Sequence, residues 1–377
     1  MSYFDDIKYD PVNNYLLYTP KELLELRKTI KPTVLEKLIN DLKSLKDAPL
    51  ESVVSKTVNS PSSDLHDYVS HATYWWPNPN TSDGHPYIQK DGYSNPDGLN
   101  YDKDKLRRLA YLVYHYGILA VLTDEQIYLD TINKHLENWF LNPQTLMNPN
   151  MEHGQFIPGI VKGRPEGIID YTANFTYALN MLYNLRVLGK LDSDIDQGLI
   201  KWHTEFHQWL TTSKIGLQEY ESKNNHGTFY DIGVIAIEQF LGIADKTSKT
   251  RFIVNRIIPQ IDLNYTLPKE TARTKSISYS LMGAKGFLDF AKIYNNLHKK
   301  DKDMYDYVLP TIKWVYNSAI INQNNWKFPQ VTTYDKGIDY LYYDLITQIY
   351  GKKEFEKPQK VEEKFIKNKV LEYLHKK

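Results

Sequence analysis

Residues 103–123 read KDKLRRLAYLVYHYGILAVLT, and their apolar side chains recur at intervals of three and four residues. This spacing matches one face of an α-helix, so the stretch predicts an amphipathic helix. The same period recurs along most of the chain, whereas an alternating strand pattern is almost absent. Helices are predicted at 20–30, 33–47, 103–123, 124–141, 171–189, 193–213, 230–244, 247–261, 278–297, 302–321, 335–351 and 360–377.

Short turns rich in Gly, Pro and Asp join most of these predicted helices. Helices so numerous must bury their apolar faces on one another, which predicts an all-α fold of stacked antiparallel hairpins. No fixed-period repeat occurs, so a consensus solenoid is disfavoured. Two segments, at about 47–102 and 142–170, interrupt the helices, and long loops of this kind are often functional. We expect one domain over 1–377, with these two segments as active-site loops.

Charge and composition exclude several kinds of function. Lys plus Arg and Asp plus Glu are both 46, so no net charge would attract nucleic acid or anionic lipid. The chain has no Cys, which excludes disulfides and cysteine nucleophiles. No stretch approaches the roughly 20 apolar residues of a membrane span. We therefore expect neither a nucleic-acid nor a membrane partner, and the sequence predicts no oligomeric state.

The N-terminus lacks the basic and apolar regions of a signal peptide. This fits a cytoplasmic protein, or a secreted protein whose signal has been removed. The chain also contains 30 Tyr and 7 Trp. Aromatic rings with polar edges suit carbohydrate surfaces, but they equally suit a tyrosine-rich core.

Signals for metal or cofactor binding are weak. Only His203 and His207, one helical turn apart, have a ligand-like spacing, and the Glu that follows the first His in zinc proteases is missing. These two histidines are interpreted as ordinary helix residues. Glycine-rich phosphate loops and the G-x-S-x-G motif are absent from the sequence. We expect no metal and no cofactor.

Residues 224–231, NNHGTFYD, place two amides and an imidazole directly before an apolar helical stretch. One asparagine would suffice as the helix N-cap. Asn224, Asn225 and His226 together would also form a donor-rich site for a carboxylate at a helix N-terminus. From these residues alone, the capping interpretation and the functional one both remain open.

Four motifs together resemble the alginate-lyase-like superfamily of polysaccharide lyases. The resemblance extends from Tyr68 to about Phe290 and implies an incomplete (α/α) toroid. It also implies a lyase that cleaves alginate or the related polyglucuronate, glucuronan. The motifs are YWWPNP at 74–79, IPGIVKGRPEGIID at 157–170, NNHGTFYD at 224–231 and ETARTKSISYSLMG at 270–283.

The resemblance implies roles for four catalytic residues. Asn225 would bind the substrate carboxylate, and His226 would lie beside the C5 proton. Arg273 would pair with the carboxylate or tune a tyrosine, and Tyr279 would transfer the proton. The step from Arg273 to Tyr279 is six residues, one fewer than in alginate lyases of the superfamily, and favours the glucuronan-lyase branch. Six residues correspond to about 120° on a helix, so we expect Arg273 to precede the helix that carries Tyr279.

The implied reaction is β-elimination, which removes the C5 proton and expels the 4-O-linked sugar as a 4,5-unsaturated uronate forms. The neighbouring carboxylate must be neutralised, because a second negative charge develops beside it. Where C5–H and C4–O share a ring face, Tyr279 could act as both base and acid. Where they lie on opposite faces, His226 would be the base. An unperturbed Tyr has a pKa of about 10, so Arg273 and His226 would have to favour the phenolate.

Further residues are candidates for binding an acidic polysaccharide. The loop that contains YWWPNP at 74–79, here called the aromatic loop, would supply stacking surfaces for sugar rings. Basic side chains would pair with uronate carboxylates. The tryptophans could equally anchor their loop. The binding candidates are Asn224, Tyr74, Trp75, Trp76, His71, Lys162, Arg164 and Tyr230.

Two other functions remain as alternatives. A glycoside hydrolase acting on uronate-containing glycans would need paired carboxylates, for which Asp170, Asp231 and Glu270 are present. A non-catalytic glycan-binding helical scaffold would bind the polymer without turnover.

Overall fold

A computed structural model of the chain describes residues 15–58, 60–298, 304–334 and 337–359. The helix predicted at 360–377 lies outside these described residues. Within them, the structure confirms the predicted all-α class and the (α/α) toroid.

Helices form at each of the other predicted stretches, although several stretches are divided. The stretch at 171–189 is interrupted at Ala173–Phe175, and the predicted stretch at 247–261 contains a π-helical turn at Ile253–Ile257. The helices are α1 Pro20–Thr29, α2 Pro32–Leu42, α3 Asp102–Thr123, α4 Gln126–Leu136, α5 Ile169–Thr172, α6 Thr176–Val187, α7 Ser193–Thr212, α8 Lys214–Tyr220, α9 Asn225–Leu241, α10 Thr247–Phe252, α11 Ile258–Gln260, α12 Pro268–Thr271, α13 Ser276–Leu297, α14 Met304–Val315 and α15 Gly337–Tyr350.

Two long helices organise the packing. Helix α3 is buried on all sides from Leu109 to Leu122 and packs against α1, α4 and α6. Helix α9 packs against α6, α7 and α13. A helix that is apolar all round must have neighbours on all sides, which is why other helices surround both. One continuous hydrophobic cluster extends from Tyr15 to Phe355.

Four short strands, which the sequence pattern did not predict, lie in the two long loops. They are β1 Val69–His71, β2 Trp75–Trp76, β3 Ile88–Gln89 and β4 His153–Phe156. Strand β1 pairs in parallel with β4, and β2 pairs with β3 as an antiparallel hairpin. The Tyr87 N–H also donates to the Pro158 carbonyl at 3.3 Å. Each predicted active-site loop is therefore held by the other.

Among the helices within the described ranges, none is both long enough and apolar enough to cross a membrane.

The second loop turns back on itself through a contact between two glycines. A Cβ atom added to Gly167 would lie 2.4 Å from the Gly154 carbonyl carbon. We expect Gly167→Ala to destabilise the protein by about 1–3 kcal/mol, because the clash is with backbone that must shift. Urea unfolding measures the change. The matched control is Gly98→Ala, whose added Cβ would meet no atom nearer than 4.0 Å. Equal stability of the Gly167 and Gly98 variants would contradict this prediction.

Candidate active site

The N-terminus of α9 explains why the chain carries two consecutive asparagines. Asn224 is the N-cap, and its Oδ1 accepts the His226 N–H at 3.0 Å. Asn225 is then the first residue of the helix and is not needed as a cap. The capping interpretation therefore holds for Asn224, while Asn225 makes different contacts.

Asn225 is held by a buried carboxylate. Its backbone N–H donates to Glu270 Oε1 at 2.8 Å, and its side-chain Nδ2 donates to Glu270 Oε2 at 2.8 Å. Asn225 is 1% exposed and Glu270 is 2% exposed. Burial raises the pKa of Glu270, against the effect of the two hydrogen bonds from Asn225. The second amide hydrogen and the Oδ1 atom of Asn225 have no hydrogen-bond partner among the described residues.

His226, the next residue, is oriented by another buried carboxylate. Its Nδ1 lies 2.8 Å from Glu219 Oε1, and 19% of the imidazole side chain is exposed. Burial of the ring opposes protonation, but the charge and hydrogen bond of Glu219 outweigh it and raise the pKa of His226. Nε2 is consequently the ring nitrogen that a substrate can reach. It donates a hydrogen bond when the ring is protonated and accepts one when the ring is neutral.

Arg273 lies in the turn between α12 and α13, so the expectation that it precedes the helix is confirmed. Its Nη2 donates to the Tyr279 hydroxyl at 2.9 Å, and its guanidinium carbon lies 3.9 Å from the centre of the Tyr279 ring. The same Nη2 also donates to Asp91 Oδ1 at 2.7 Å, and Nε donates to Asp91 Oδ2 at 3.3 Å. Burial disfavours the guanidinium charge, but the hydrogen bond to Asp91 and the charges around it raise the pKa of Arg273, so it stays cationic.

Tyr279, on the first turn of α13, has a second hydroxyl beside it. The Tyr74 hydroxyl lies 3.0 Å from the Tyr279 hydroxyl. Burial and the neighbouring Tyr74 raise the pKa of Tyr279 well above its usual value, and Arg273 offsets this only in part. Arg273 therefore favours the phenolate as expected, but Tyr279 rests as a phenol. A resting phenol is suited to proton donation.

Glu270 connects the pair Asn225 and His226 with the pair Arg273 and Tyr279. Both the Arg273 and the His226 charges act on the Glu270 carboxylate and oppose the rise in its pKa. A Cβ atom on Gly283, one turn beyond Tyr279 in α13, would lie 3.5 Å from Glu270 Cγ. Glu270 thus packs on the Tyr279 face of α13 while it binds Asn225. Asn225 is hydrogen-bonded to the Glu270 carboxylate, the charges of His226 and Arg273 act on it, and Tyr279 is hydrogen-bonded to Arg273.

The aromatic loop lies beside this group and is itself well anchored. Trp76 Nε1 donates to the Tyr93 carbonyl at 2.9 Å, and the Lys90 ammonium lies 5.2 Å from the centre of the Trp76 ring. The Trp75 carbonyl accepts from Asn95 Nδ2 at 2.9 Å. Both tryptophans are half-buried. They anchor the loop and still present part of each ring to solvent.

The second loop brings one of its two predicted cations to His226. The Arg164 charge acts on His226 and lowers its pKa, and the Glu166 charge opposes that effect. Arg164 Nη2 donates to Gln155 Oε1 at 2.7 Å, whereas the Arg164 Nε is buried and has no hydrogen-bond partner in the part of the chain that the structure describes. Lys162 is exposed on the same loop.

Two of the predicted binding residues are placed elsewhere, which corrects the sequence interpretation. His71 is 3% exposed among the rings of Tyr87, Tyr101 and Phe156, and burial lowers its pKa. Tyr230 is 4% exposed, and its hydroxyl donates to the Leu210 carbonyl at 2.9 Å. His71 packs the two loops together and Tyr230 belongs to the core, so neither is kept as a substrate contact.

Sequence reasoning missed three carboxylates as supporting residues. Asp91 lies in the segment GHPYIQKDGYSNPDG at 84–98, which follows the YWWPNP motif, and Glu270 is the first residue of the ETARTKSISYSLMG motif, so both positions carry a sequence signal. Glu219 lies outside the recognised motifs and gives no local signal.

Comparison with known proteins agrees with this architecture. The sequence model described as "Alginate lyase" matches residues 52–316. An alginate lyase structure from Bacteroides ovatus has a TM-score of 0.86 and 26% identity, covering 95% of this chain and 99% of that one. Alginate lyase A1-III from Sphingomonas species A1 has a TM-score of 0.56 and 14% identity, covering 96% and 95% of the two chains.

A third structure, a variant of alginate lyase A1-III complexed with a tetrasaccharide, has a TM-score of 0.54 and 14% identity. It covers 91% of this chain and 89% of that one. At 14% identity, the two A1-III likenesses establish the fold only. No curated protein sequence matches the chain.

The toroid fold and the family match together show that the protein is a polysaccharide lyase. Because the family match covers well over half of the chain, the protein belongs to the alginate lyase family.

The Glu219–His226 pair makes a prediction about pH. We expect Glu219→Gln to lower the pKa of His226, since the variant removes the charge that raises it. NMR titration of the histidine ring signals measures the pKa of His226 in wild type and in Glu219→Gln. The His226 signal is assigned by its loss in His226→Ala.

The same pair predicts how stability depends on pH. Because the folded pKa of His226 is raised, the stabilisation is complete below the unfolded value of about 6.5 and is lost as pH rises through the folded pKa. Wild type should therefore exceed Glu219→Gln in stability most at acidic pH. A stability difference that grows as the pH rises would contradict this sign.

Proposed function

We propose that the protein cleaves a 1,4-linked polyuronate, glucuronan or alginate, by β-elimination and leaves 4,5-unsaturated uronates. The observation that carries this proposal is the arrangement around Glu270. Asn225 is hydrogen-bonded to Glu270 and is followed by the partly exposed imidazole of His226. Arg273, whose charge also acts on Glu270, is hydrogen-bonded to the phenol of Tyr279. These are the groups that removal of a proton beside a carboxylate requires.

The first requirement is to neutralise the substrate carboxylate. Asn225 has one amide hydrogen left, and its orientation is fixed by Glu270. The raised pKa of His226 favours an imidazolium, whose Nε2–H is a charged donor. Donors fixed in advance stabilise the charge that develops on the carboxylate without reorganising during the reaction.

The second requirement is proton transfer at C5 and O4. In D-glucuronate and D-mannuronate these bonds lie on one ring face, whereas in L-guluronate they lie on opposite faces. Tyr279 must first lose its own proton, and Arg273 stabilises the resulting phenolate. The phenolate then takes the C5 proton and returns it to O4 on the same face as the C4–O bond breaks. A protonated His226 is a poor base for the opposite face. The site therefore favours D-uronates, either glucuronan or mannuronate-rich alginate.

The surroundings suit an acidic polymer even though the chain has no net charge. Arg164 acts on His226, Lys90 lies over Trp76, and Lys275 lies 5.8 Å from the Tyr74 ring centre. Cations beside partly exposed aromatic rings match a chain of sugars that each carry a carboxylate. Lys162, exposed on the second loop, is proposed to contact a more distant uronate.

The hydrolase alternative has little support, because its three candidate carboxylates are already engaged. Asp170 pairs with Lys103 at 3.1 Å, and Asp231 pairs with Arg256 at 2.8 Å. Glu270 holds Asn225. A hydrolase needs one carboxylic acid and one carboxylate that face the substrate together.

The proposal is tested by incubating the protein with defined polymers and following the ultraviolet absorbance of unsaturated uronate. We expect absorbance to rise with glucuronan or polymannuronate and less with polyguluronate. Tyr279→Phe should abolish the rise because it removes the transferable proton. Tyr230→Phe is the matched control, since it removes a core hydroxyl outside the site. No rise with any of the three polymers, or full activity in Tyr279→Phe, would overturn the proposal.

Asn225 tests the neutralisation step separately. We expect Asn225→Ala to lower kcat about 100- to 1000-fold, the usual effect of removing one donor to a developing oxyanion. Asn255→Ala is the matched control, because its amide bonds Tyr220 at 2.7 Å and takes no part in the proposed chemistry. Thermal unfolding of both variants separates lost chemistry from lost structure. An unchanged kcat in a folded Asn225→Ala protein would rule out this role.

A further inference from the structure

Asp91 is hydrogen-bonded to two consecutive residues of the segment before α13, Arg273 and Thr274. Its Oδ1 accepts from Arg273 Nη2 at 2.7 Å, and its Oδ2 accepts from Arg273 Nε at 3.3 Å. Oδ2 also accepts the Thr274 hydroxyl at 2.9 Å. Asp91 lies 182 residues from Arg273 in the sequence, just after strand β3 of the aromatic hairpin. The loop therefore reaches across to the residue that contacts Tyr279.

These bonds fix the guanidinium in one orientation. Asp91 and Tyr279 together take the Nε–H and the Nη2 hydrogens of Arg273. The plane of the guanidinium is thereby held against the Tyr279 ring at 3.9 Å. Two-point pairing of this kind fixes direction as well as distance, which one hydrogen bond to a hydroxyl cannot do.

The backbone beside Asp91 is adapted to the same close approach. Gly92 has φ +84°, and a Cβ atom there would lie 2.5 Å from Thr274 Oγ1. A side chain at residue 92 would consequently push Asp91 away from Thr274 and Arg273. Hydrogen bonds from Arg273 and Thr274 also outweigh the burial of Asp91 and lower its pKa, so it is ionised when it pairs.

We propose that Asp91 is a positioning residue for catalysis, which holds Arg273 against Tyr279 so that the guanidinium stabilises the phenolate during proton transfer. This inference rests on the proposed lyase function. It assigns Arg273 to Tyr279 rather than to the substrate carboxylate. The aromatic loop thus contributes to proton transfer through Asp91, which does not touch the sugar.

Several groups face Tyr279 and contribute to its titration. Tyr74 and Asp91 come from the aromatic loop, and Arg273 comes from the turn before α13. Two further groups act less directly. Lys275 lies beside the Tyr74 ring, and Glu270 interacts with the charge of Arg273. Asp91 itself, as a negative charge, opposes ionisation of Tyr279. Its charge and its positioning of Arg273 therefore act in opposite directions, and experiment can separate them.

The test compares Asp91→Ala with wild type on the polymer that gives the strongest ultraviolet signal. We expect kcat to fall about 10- to 100-fold, as for a catalytic group displaced by about 1 Å, with KM little changed. The limb of the pH–rate profile that reports Tyr279 should move to higher pH, because the phenolate loses its cation. Movement to lower pH would mean that only the Asp91 charge matters, and a raised KM with unchanged kcat would mean that Arg273 binds substrate. Either result overturns the inference.

Two control variants separate positioning from loop anchoring. Asp91→Glu keeps a carboxylate that can pair with Arg273, so it should recover most of the lost kcat and return the pH limb towards wild type. Thr274→Val removes one hydrogen bond to Asp91 and leaves the Arg273 pair, so kcat and the pH limb should stay unchanged. If Thr274→Val lowers kcat and moves the pH limb as Asp91→Ala does, Asp91 only anchors the loop and the inference fails.

A measurement without substrate keeps this inference separate from the lyase proposal. The Nε–H of Arg273 should give a slowly exchanging signal in ¹⁵N NMR of the whole protein, assigned by its loss in Arg273→Lys. In Asp91→Ala the exchange should become fast. Unchanged exchange would overturn the positioning role even in an active lyase. Conversely, inactivity of the wild type with fast exchange in Asp91→Ala would overturn only the lyase proposal.

Discussion

The buried carboxylate of Glu270 is the interaction on which the site depends. It accepts both the backbone and the side-chain N–H of Asn225, and it packs on the face of α13 that carries Tyr279. The two helix N-termini that supply the candidate catalytic groups are therefore fixed relative to each other. A buried carboxyl group is costly unless its oxygens are hydrogen-bonded, and here both oxygens are. Exact positioning of this kind is what a reaction beside a carboxylate needs.

A second layer of carboxylates sets the properties of the groups around Glu270. Glu219 favours the charged form of His226, and Asp91 holds Arg273 beside Tyr279. Asn225, His226 and Arg273 are thus each held by an acidic residue that is itself buried or half-buried. A protein with no net charge can in this way keep cationic groups fixed at one site.

Much of the fold and part of the site could be predicted from the sequence. Apolar spacing located the long helices but not the short helices α8 and α12, and the six-residue step correctly placed Arg273 before α13. The strands β1–β4 are too short to give an alternating pattern. Asp91 and Arg273 are 182 residues apart, so local spacing carries no information about their pairing. Glu219 and His226 are seven residues apart but lie on separate helices, α8 and α9, whose packing sets their contact. His71 and Tyr230 were misplaced because a polar ring that packs in a core resembles a ligand-binding ring in sequence.

We infer that Asn225, His226 and Tyr279 act on one uronate ring. This can be checked with a crystal structure of the inactive Tyr279→Phe protein with a bound uronate tetrasaccharide. We expect one sugar carboxylate within hydrogen-bond distance of Asn225 Nδ2 and His226 Nε2, with C5 of that sugar facing the edge of the Phe ring. A tetrasaccharide bound away from Asn225, or with its carboxylate on Arg273 and C5 turned from residue 279, would contradict it.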